Sequence, residues 1–262
     1  MCGRYASYRS SQQVADEFGV MLMSTEAAAV EPNWNIAPTT MVRVIFDRPA
    51  QAFENYGTWV NATPQDNPTQ TGTVRAMGLA RWGLIPPWAK TPAIGARMIN
   101  ARVETLTSKR SFTRPFATSR CIVIADGYYE WHTNPAGIKT PYYIFASDSA
   151  SLAFAGLFSW WAHPHNGGAG DARWVLSTTI VTTQARDGLE TIHDREPLML
   201  AHEAIQPWLD PHLTDPNDLH QLLMRPGPRV SWHAVSPTVG SVAHNGPHLI
   251  APSAPPIQDS LL

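Results

Sequence analysis

The sequence predicts an α+β protein in which antiparallel or mixed sheets form a barrel-like core with short flanking helices. Two observations predict this class. Short runs rich in β-branched and aromatic residues are separated by Gly, Pro and Asn turns, which is typical of strands. The sequence lacks the alternation of strands with long helices that would indicate a parallel βαβ fold. The predicted strands cover residues 41–46, 78–84, 121–125, 142–146, 152–158, 174–183 and 230–235.

Short helices are predicted between and after these strands. Ser10 or Ser11 can cap a helix in which Val14 and Phe18 share one apolar face, and Gly19 marks its end. Further helical segments are predicted at 103–108, 202–209 and 217–223.

The chain is predicted to form one domain. Its 262 residues are 44% hydrophobic and include 10 Trp, which is ample for a packed core. Residues 61–73 and 163–171 are turn-forming and poor in apolar side chains, but strand-like runs continue on both sides of each. We therefore expect surface excursions there, and a flexible tail at 251–262.

The composition gives no sign of secretion or of a membrane span. No apolar stretch approaches the ~20 residues that cross a bilayer. The two cysteines, Cys2 and Cys121, suit a reducing compartment rather than a disulfide framework. We therefore expect a cytoplasmic protein. We expect no metal site, because His163 and His165 have no third ligand clustered with them in the sequence.

Charge points to one local segment. The net charge of −2 and pI near 6.5 give no global sign of nucleic-acid binding. Between residues 97 and 120, however, Glu104 is the single acid among many basic residues. This segment is either a local nucleic-acid surface or an ordinary solvated one. Its basic residues are Arg97, Arg102, Lys109, Arg110, Arg114 and Arg120.

Cys2 is a candidate nucleophile because of its position. Removal of Met1 would place a free α-amine beside the thiol of the same residue. With a pKa of roughly 7.7–8.0 the amine is partly neutral near pH 7, whereas a thiol of pKa about 8.5 is mostly protonated. Such an aminothiol condenses with an aldehyde to an imine, and the thiol then closes a thiazolidine ring intramolecularly. The alternative is an ordinary small residue near a frayed terminus.

Glu130 is a candidate acid or base. It follows an apolar strand and an Asp-Gly turn and stands between Tyr129 and Trp131. Partial burial among aromatic rings would raise its pKa and suit it to proton transfer. The alternative is a glutamate on an edge strand that faces water.

Further polar candidates lie in two other segments. His193 follows a strand and a short polar loop, and the neighbouring Asp194 can fix its tautomer. Asn100 and Arg102 share one face if the backbone is extended, so that Asn100 can hold a reacting oxygen and Arg102 a phosphate. The alternatives are a structural histidine, and a helix cap followed by an ion-paired arginine.

Two indoles flank a diproline turn. Trp82 is interpreted as a core residue. Trp88, beyond the diproline, is the better candidate for stacking against unpaired bases.

Taken in order, these segments resemble the signature of the SOS-response-associated peptidase (SRAP) family. The resemblance implies one β-rich SRAP domain over residues 2–250 that recognises abasic sites in single-stranded DNA. It also implies a covalent link to them through the N-terminal cysteine, and an autopeptidase reaction that removes Met1. The matching segments are Cys2-Gly3-Arg4, Asn35-Ile36-Ala37-Pro38, Trp82-Gly83-Leu84, 99–105 (INARVET), 125–131 (ADGYYEW), 192–197 (IHDREP) and 232–236 (WHAVS).

The resemblance implies a role for each candidate. Cys2 would be the nucleophile, Asn100 and His193 would contact the opened sugar, and Glu130 would act as acid and base for the imine and ring chemistry. The implied DNA contacts are Arg4, Arg102, Arg110 and Arg195 for phosphates, Pro38 and Trp88 as wedge or stacking residues, and Thr182 beside the site.

The implied partner is single-stranded DNA with abasic sites, including junctions with duplex DNA, and the chain is expected to act as a monomer without a cofactor. The excursions at 61–73 and 163–171 depart from the family pattern. A second departure lies beside Trp88, where Pro87 or Ala89 replaces the second aromatic residue of the family.

Two other classes of function stay open. N-terminal-nucleophile amidohydrolases also begin Met-Cys-Gly, and their α-amine activates the thiol against glutamine or another amide. That class leaves the basic segment unexplained. A non-catalytic single-strand-binding module explains the arginines and indoles but leaves Cys2 without a role.

Overall fold

The structure is a computed structural model that describes residues 2–53, 58–62, 72–163 and 174–253. Most of the excursions predicted at 61–73 and 163–171 lie outside these ranges, as does the predicted tail beyond residue 253 and His165. Residues 251–253 are described, and the Ser253 amide donates to the Ala234 carbonyl at 2.9 Å.

The described residues form many short strands and few helices. The strands are β1 (Tyr5–Ser7), β2 (Leu22–Ser24), β3 (Asn33–Ile36), β4 (Met41–Pro49), β5 (Trp59–Asn61), β6 (Thr73–Trp82), β7 (Asn100–Arg102), β8 (Arg120–Ala125), β9 (Gly127–Thr133), β10 (Lys139–Ala146), β11 (Leu152–Ala162), β12 (Trp174–Gln184), β13 (Arg195–Pro197) and β14 (Val230–Ala234). The α-helices are α1 (Ser11–Phe18), α2 (Thr25–Ala28), α3 (Arg110–Thr118), α4 (His202–Leu209) and α5 (Pro216–Leu223).

Five strands close into a barrel. β6 pairs with β4, β4 with β8, β8 with β11 and β11 with β12, all antiparallel. The ring closes where β12 pairs with β6 in parallel, with Ser177 opposite Arg81 and Thr178 opposite Trp82. This closed ring confirms the predicted α+β fold with a barrel-like core. It also leaves no unpaired edge among the five strands.

The barrel strands bury both of their faces. Along β8, Ile122 and Ile124 belong to a cluster with the apolar residues of α1, α3, α4 and α5, whereas Cys121 and Val123 belong to a second cluster. This alternation follows from the two-residue period of a strand. Helices therefore cover one face, and the other face packs in a separate core.

A second sheet packs against that separate core. Its strands lie in the order β14, β10, β9, β1, β3. Tyr5 of β1 and Tyr128 of β9 pack in the same cluster as Val123 and Cys2. The short N-terminal strand is thus fixed between β9 and β3, next to the barrel.

Most predicted elements are confirmed, and the described strands extend beyond several of the predicted runs. Helix α1 begins and ends where its caps predict: Ser10 and Gln13 form a reciprocal capping box, and Gly19 adopts a left-handed φ of 64°. The helices predicted at 202–209 and 217–223 are α4 and α5, the latter starting at Pro216.

The helix predicted at 103–108 is wrong in position. Only a single 3-10 turn, Val103–Thr105, forms there, and the true helix is α3. Pro115 inside α3 obscures the helical signal, although Phe112 and Phe116 are buried at i and i+4. No helix in the described part of the chain is long and apolar enough to cross a membrane.

Candidate functional site

Cys2 is fixed inside the fold. Its side chain is fully buried in the core beneath the second sheet. The amide of Tyr129 donates to the Arg4 carbonyl at 2.9 Å, which continues the pairing of β1 with β9 toward the terminus. Since Tyr5 lies opposite Tyr128, continuing this register brings the first residues of the chain beside Glu130. The alternative of a frayed terminus at Cys2 is wrong.

Glu130 is a buried carboxyl on a central strand. β9 lies between β1 and β10, and Glu130 is 6% exposed, so the alternative of an edge-strand glutamate facing water is wrong. Burial raises the pKa of Glu130, and the nearby His193 opposes this rise. Burial, reinforced by the charge of Glu130, also raises the pKa of the Cys2 thiol. The two groups therefore interact, and the thiol is protonated near neutral pH.

Asn100 holds the backbone of Cys2. Its Nδ2–H donates to the Cys2 carbonyl at 2.8 Å, while its Oδ1 is buried and has no hydrogen-bond partner among the described residues. β7 pairs in parallel with β12, with Asn100 opposite Ile180 and Arg102 opposite the buried Thr182. The predicted extended backbone is confirmed, with Ala101 buried between the half-buried Asn100 and the exposed Arg102.

His193 lies in a turn before β13. Its Nδ1 accepts a hydrogen bond from the Arg195 amide at 3.0 Å and lies 2.8 Å from Asp194 Oδ1. The imidazole is 31% exposed, whereas the Asp194 side chain is 85% exposed. His193 is close enough to act on the pKa of Glu130, the carboxyl that the register of β1 and β9 places beside the first residues of the chain.

Arg195 already has protein partners. Its two terminal nitrogens donate to Glu104 Oε1 at 2.6 Å and to Oε2 at 3.0 Å, and the second also donates to the Thr182 carbonyl at 2.8 Å. The Arg195 side chain is only 10% exposed. In the sequence Glu104 stands out only as the lone acid of a basic segment, and no charge spacing indicates this pair, which joins two segments of the family signature.

Arg4 is also held by the protein. It donates to Asn35 Oδ1 at 2.7 Å and to the Val239 carbonyl at 2.9 Å, and burial lowers its pKa. Pro38 is half-buried, and the amide of the following residue donates to the Trp82 carbonyl at 2.8 Å. Trp82 is fully buried, as its interpretation as a core residue predicts.

A basic depression of ≈ 500 Å³ opens beside Asn100. Next to it, Trp88 is 47% exposed and the Arg110 guanidinium carbon lies 5.4 Å from the centroid of its ring, within the range of a cation–π contact. The indole therefore lies against a cation on the surface. The depression is lined by Arg97, Met98, Asn100, Arg102, Lys109, Ser111 and Phe112.

Arg120 does not belong to this surface. It is 3% exposed, and its guanidinium donates to backbone carbonyls at the ends of α3 and α4. The basic segment of the sequence thus divides into exposed residues, of which Arg97, Arg102 and Lys109 line the depression, and the buried structural Arg120. Among the described residues, no group of three potential ligands is placed to hold a metal ion.

The fold and the site define a β-barrel protein with a buried cysteine at position 2 beside an amide, a carboxyl and an imidazole. The family model described as SOS response associated peptidase (SRAP) matches residues 1–242. The chain belongs to the SRAP family.

Curated relatives agree with this family. The "Abasic site processing protein YoaM" of Bacillus subtilis is 34% identical over 251 residues, which are 95% of this chain and 97% of the relative. The "Abasic site processing protein HMCES" of Gallus gallus is 32% identical over 195 residues, 66% of this chain and 56% of the relative.

Solved structures share the fold. A crystal structure of a Bordetella bronchiseptica protein has a TM-score of 0.65 and 25% identity, covering 90% of this chain and 100% of that one. A Bacteroides thetaiotaomicron protein has a TM-score of 0.75 at 22% identity, covering 97% of this chain and 100% of that one. The second likeness concerns the fold alone.

Proposed function

We propose that this chain is an abasic-site sensor that binds single-stranded DNA and forms a thiazolidine cross-link to it through Cys2. The observation that carries the proposal is the placement of Cys2: Asn100 holds its carbonyl, and the charge of Glu130 acts on its thiol. Relatives named abasic site processing proteins support the choice of substrate. The SRAP domain is proposed to span residues 2–250, acting as a cytoplasmic monomer without a cofactor.

The reaction begins once Met1 is removed, by the chain itself as an autopeptidase or by a separate aminopeptidase. The free α-amine of Cys2 adds to the aldehyde carbon of the opened sugar. Glu130 then protonates the departing hydroxyl, so that one water leaves and an imine forms. A carboxyl whose pKa is raised by burial is suited to this step, because it keeps a proton closer to neutral pH.

The thiol acts second. Because burial raises its pKa, the Cys2 thiol is a poor nucleophile before the imine forms. The nitrogen keeps one hydrogen when the water leaves, so the imine forms in its protonated state; this makes the carbon electrophilic and places a positive charge beside the thiol. The sulfur then bonds to the same carbon while its proton passes to Glu130, whose proton had gone to the departing water. The closed ring has lost one water and needs no reductant.

The opened sugar is handled by Asn100 and His193. The buried Oδ1 of Asn100 offers an acceptor for a sugar hydroxyl. His193 is proposed to donate a hydrogen bond from its ring N–H to the ring oxygen as the cyclic sugar opens. The hydrogen bond of Asn100 to the Cys2 carbonyl and the effect of His193 on the pKa of Glu130 support these roles.

DNA is proposed to lie along the basic depression. Arg102, which lines the depression, and Arg110, which lies against Trp88, are proposed to contact phosphates. Trp88 and Pro38 are proposed to stack or wedge at the bases. Arg4 and Arg195 keep their protein partners, so they would reach phosphates through their remaining N–H groups. Thr182 is buried, and its carbonyl accepts a hydrogen bond from Arg195, so it would position the Arg195 guanidinium rather than touch DNA.

A cross-linking assay tests the proposal. Purified protein is incubated with abasic single-stranded DNA, intact single-stranded DNA or glutamine, and analysed on a denaturing gel and for released ammonia. We expect an adduct with abasic DNA alone, without borohydride. Cys2→Ala should lose the stable adduct while keeping an amine that can be trapped by borohydride, and Cys121→Ala, the matched control at the other buried cysteine, should cross-link normally.

Two outcomes would contradict the proposal. Stable cross-linking by Cys2→Ala would exclude the thiazolidine. Release of ammonia from glutamine without any DNA adduct would favour an N-terminal-nucleophile amidohydrolase instead.

A further inference from the structure

Glu104 has no role in the chemistry described above, yet it links two parts of the site. We propose that Glu104 is a positioning residue that acts through Arg195 to hold His193 in the neutral tautomer with its proton on Nε2. This inference rests on the proposed function only where it concerns sugar opening. The tautomer itself can be measured without DNA.

The first link is the ion pair of Glu104 with Arg195. Both carboxylate oxygens are engaged, at 2.6 and 3.0 Å, by the two terminal nitrogens of the guanidinium. One of these nitrogens also donates to the Thr182 carbonyl on β12 at 2.8 Å. A planar guanidinium held at three points has little freedom. Arg195 is therefore fixed between β12 and the turn that carries Glu104.

The second link runs from the Arg195 backbone to His193. The Arg195 N–H donates to His193 Nδ1 at 3.0 Å. In a neutral imidazole, a ring nitrogen that accepts a hydrogen bond cannot carry the proton. This contact therefore selects the tautomer in which Nε2 carries the proton and can donate to a sugar oxygen.

Asp194 competes for the same ring nitrogen. Its Oδ1 lies 2.8 Å from Nδ1, and a carboxylate can only accept, so this contact favours a proton on Nδ1. Because Asp194 is 85% exposed, water screens its pull. The two neighbours of Nδ1 thus favour opposite tautomers, and the position of the Arg195 amide decides between them.

Glu104 keeps the Arg195 amide within hydrogen-bond distance of His193 Nδ1. Arg195 begins the short strand β13, where it lies opposite Gln184 at the end of β12. The ion pair with Glu104 holds this strand end in place by its side chain. If the pair is broken, the amide can move away from Nδ1, and Asp194 then favours the tautomer whose Nε2 is an acceptor and cannot donate to the ring oxygen.

Nitrogen NMR tests the tautomer directly. In full-length protein labelled with ¹⁵N-histidine, long-range ¹H–¹⁵N correlation distinguishes protonated from unprotonated ring nitrogens, and His193→Asn assigns the signal. At alkaline pH we expect the Nε2–H form in wild type. Glu104→Gln and Arg195→Lys should both shift it toward the Nδ1–H form, and adding Asp194→Asn to Glu104→Gln should restore it.

Glu203→Gln is the matched control. It removes one negative charge at the exposed start of α4 and should leave the His193 signal unchanged. A wild type with the proton on Nδ1, or a Glu104→Gln variant with an unchanged tautomer, would overturn the inference.

Cross-linking rates supply a second readout. Glu104→Gln should slow the reaction of the cyclic abasic sugar about three- to fivefold, with little change for a small open-chain aldehyde. The double variant with His193→Ala should be no slower than His193→Ala alone.

The alternatives give different patterns. If Glu104 only repels phosphates, Glu104→Gln will tighten DNA binding without altering the tautomer; equal slowing on both substrates would indicate a general structural defect. Either pattern overturns the inference. If wild type forms no cross-link at all, the proposed function fails, while the NMR result still decides the tautomer.

Discussion

Replacing Arg120 by Met should lower the stability of the folded protein and leave its DNA binding unchanged. Although it ends the basic segment of the sequence, Arg120 is 3% exposed. It donates to the carbonyls of Phe116 at 3.0 Å and Ala117 in the last turn of α3, and to Trp208 at 2.8 Å in α4. It also reaches the carbonyls of Asp210 at 2.6 Å and Leu213 at 2.7 Å.

The cost can be worked from these contacts. The carbonyls at helix ends lack partners within the helix, and a buried one left without a donor costs about 1–3 kcal/mol. Burial and the nearby Arg48 lower the pKa of Arg120 to about 10, so its charged form is disfavoured in the folded protein. Removing this charge offsets part of the cost of the unpaired carbonyls. With several carbonyls left without this donor, a net loss of about 3–5 kcal/mol is expected. In a chain of this size that corresponds to a Tm lower by roughly 10 °C.

Thermal unfolding and DNA titration at several salt concentrations check this prediction. Arg102→Met is the matched variant, because it removes an exposed arginine from the same segment. It should leave Tm within about 2 °C and reduce the salt slope of single-strand binding by roughly 0.7. An Arg120→Met protein with unchanged Tm and a smaller salt slope would refute the assignment of Arg120 to the interior.

Three further predictions concern single positions. Glu130→Gln should raise Tm relative to wild type at pH 7, but not below about pH 4.5. A carboxyl whose pKa is raised on folding binds more protons in the folded state than in the unfolded state. The stability of the wild type therefore falls as pH rises from the ordinary pKa of a glutamate through its raised pKa in the folded state. A Tm lower than wild type at pH 7 would contradict this sign. His193→Ala should slow cross-linking of cyclic abasic sugar and react almost normally with an open-chain aldehyde; equal defects on both would exclude a ring-opening role. Gly83→Ala should lower Tm, because a Cβ there would lie 2.4 Å from the Gly95 carbonyl oxygen and φ is 130°; an unchanged melting curve would contradict it.

Local elements could be predicted because their signals are local. The caps of α1 lie within ten residues of each other, so Ser10 and Gly19 fix its ends in the sequence itself. The apolar run at 121–125 likewise predicts β8, which is buried along its length. The closure of the barrel, by contrast, depends on Ser177 meeting Arg81 across distant parts of the chain, and no periodicity in either strand specifies that pairing.

The site was predictable in composition but not in geometry. Residue types and the family resemblance indicate Cys2 and Glu130, yet only folding brings the first residues of the chain beside β9. The pairing of Glu104 with Arg195, 91 positions apart, has no signal in the spacing of charges. Charge alone also assigned Arg120 to the surface, because a sequence gives the sign of a side chain but not its burial.

Tandem mass spectrometry of the cross-linked protein tests the central claim most directly. Abasic single-stranded DNA is incubated with the protein without borohydride, both chains are digested, and the modified peptide is sequenced. We expect the sugar on a peptide that begins at Cys2, at the summed mass of peptide and sugar remnant less one water, with the thiol no longer open to alkylation. A sugar attached elsewhere, or a Cys2 thiol that still alkylates in the adduct, would contradict the thiazolidine link.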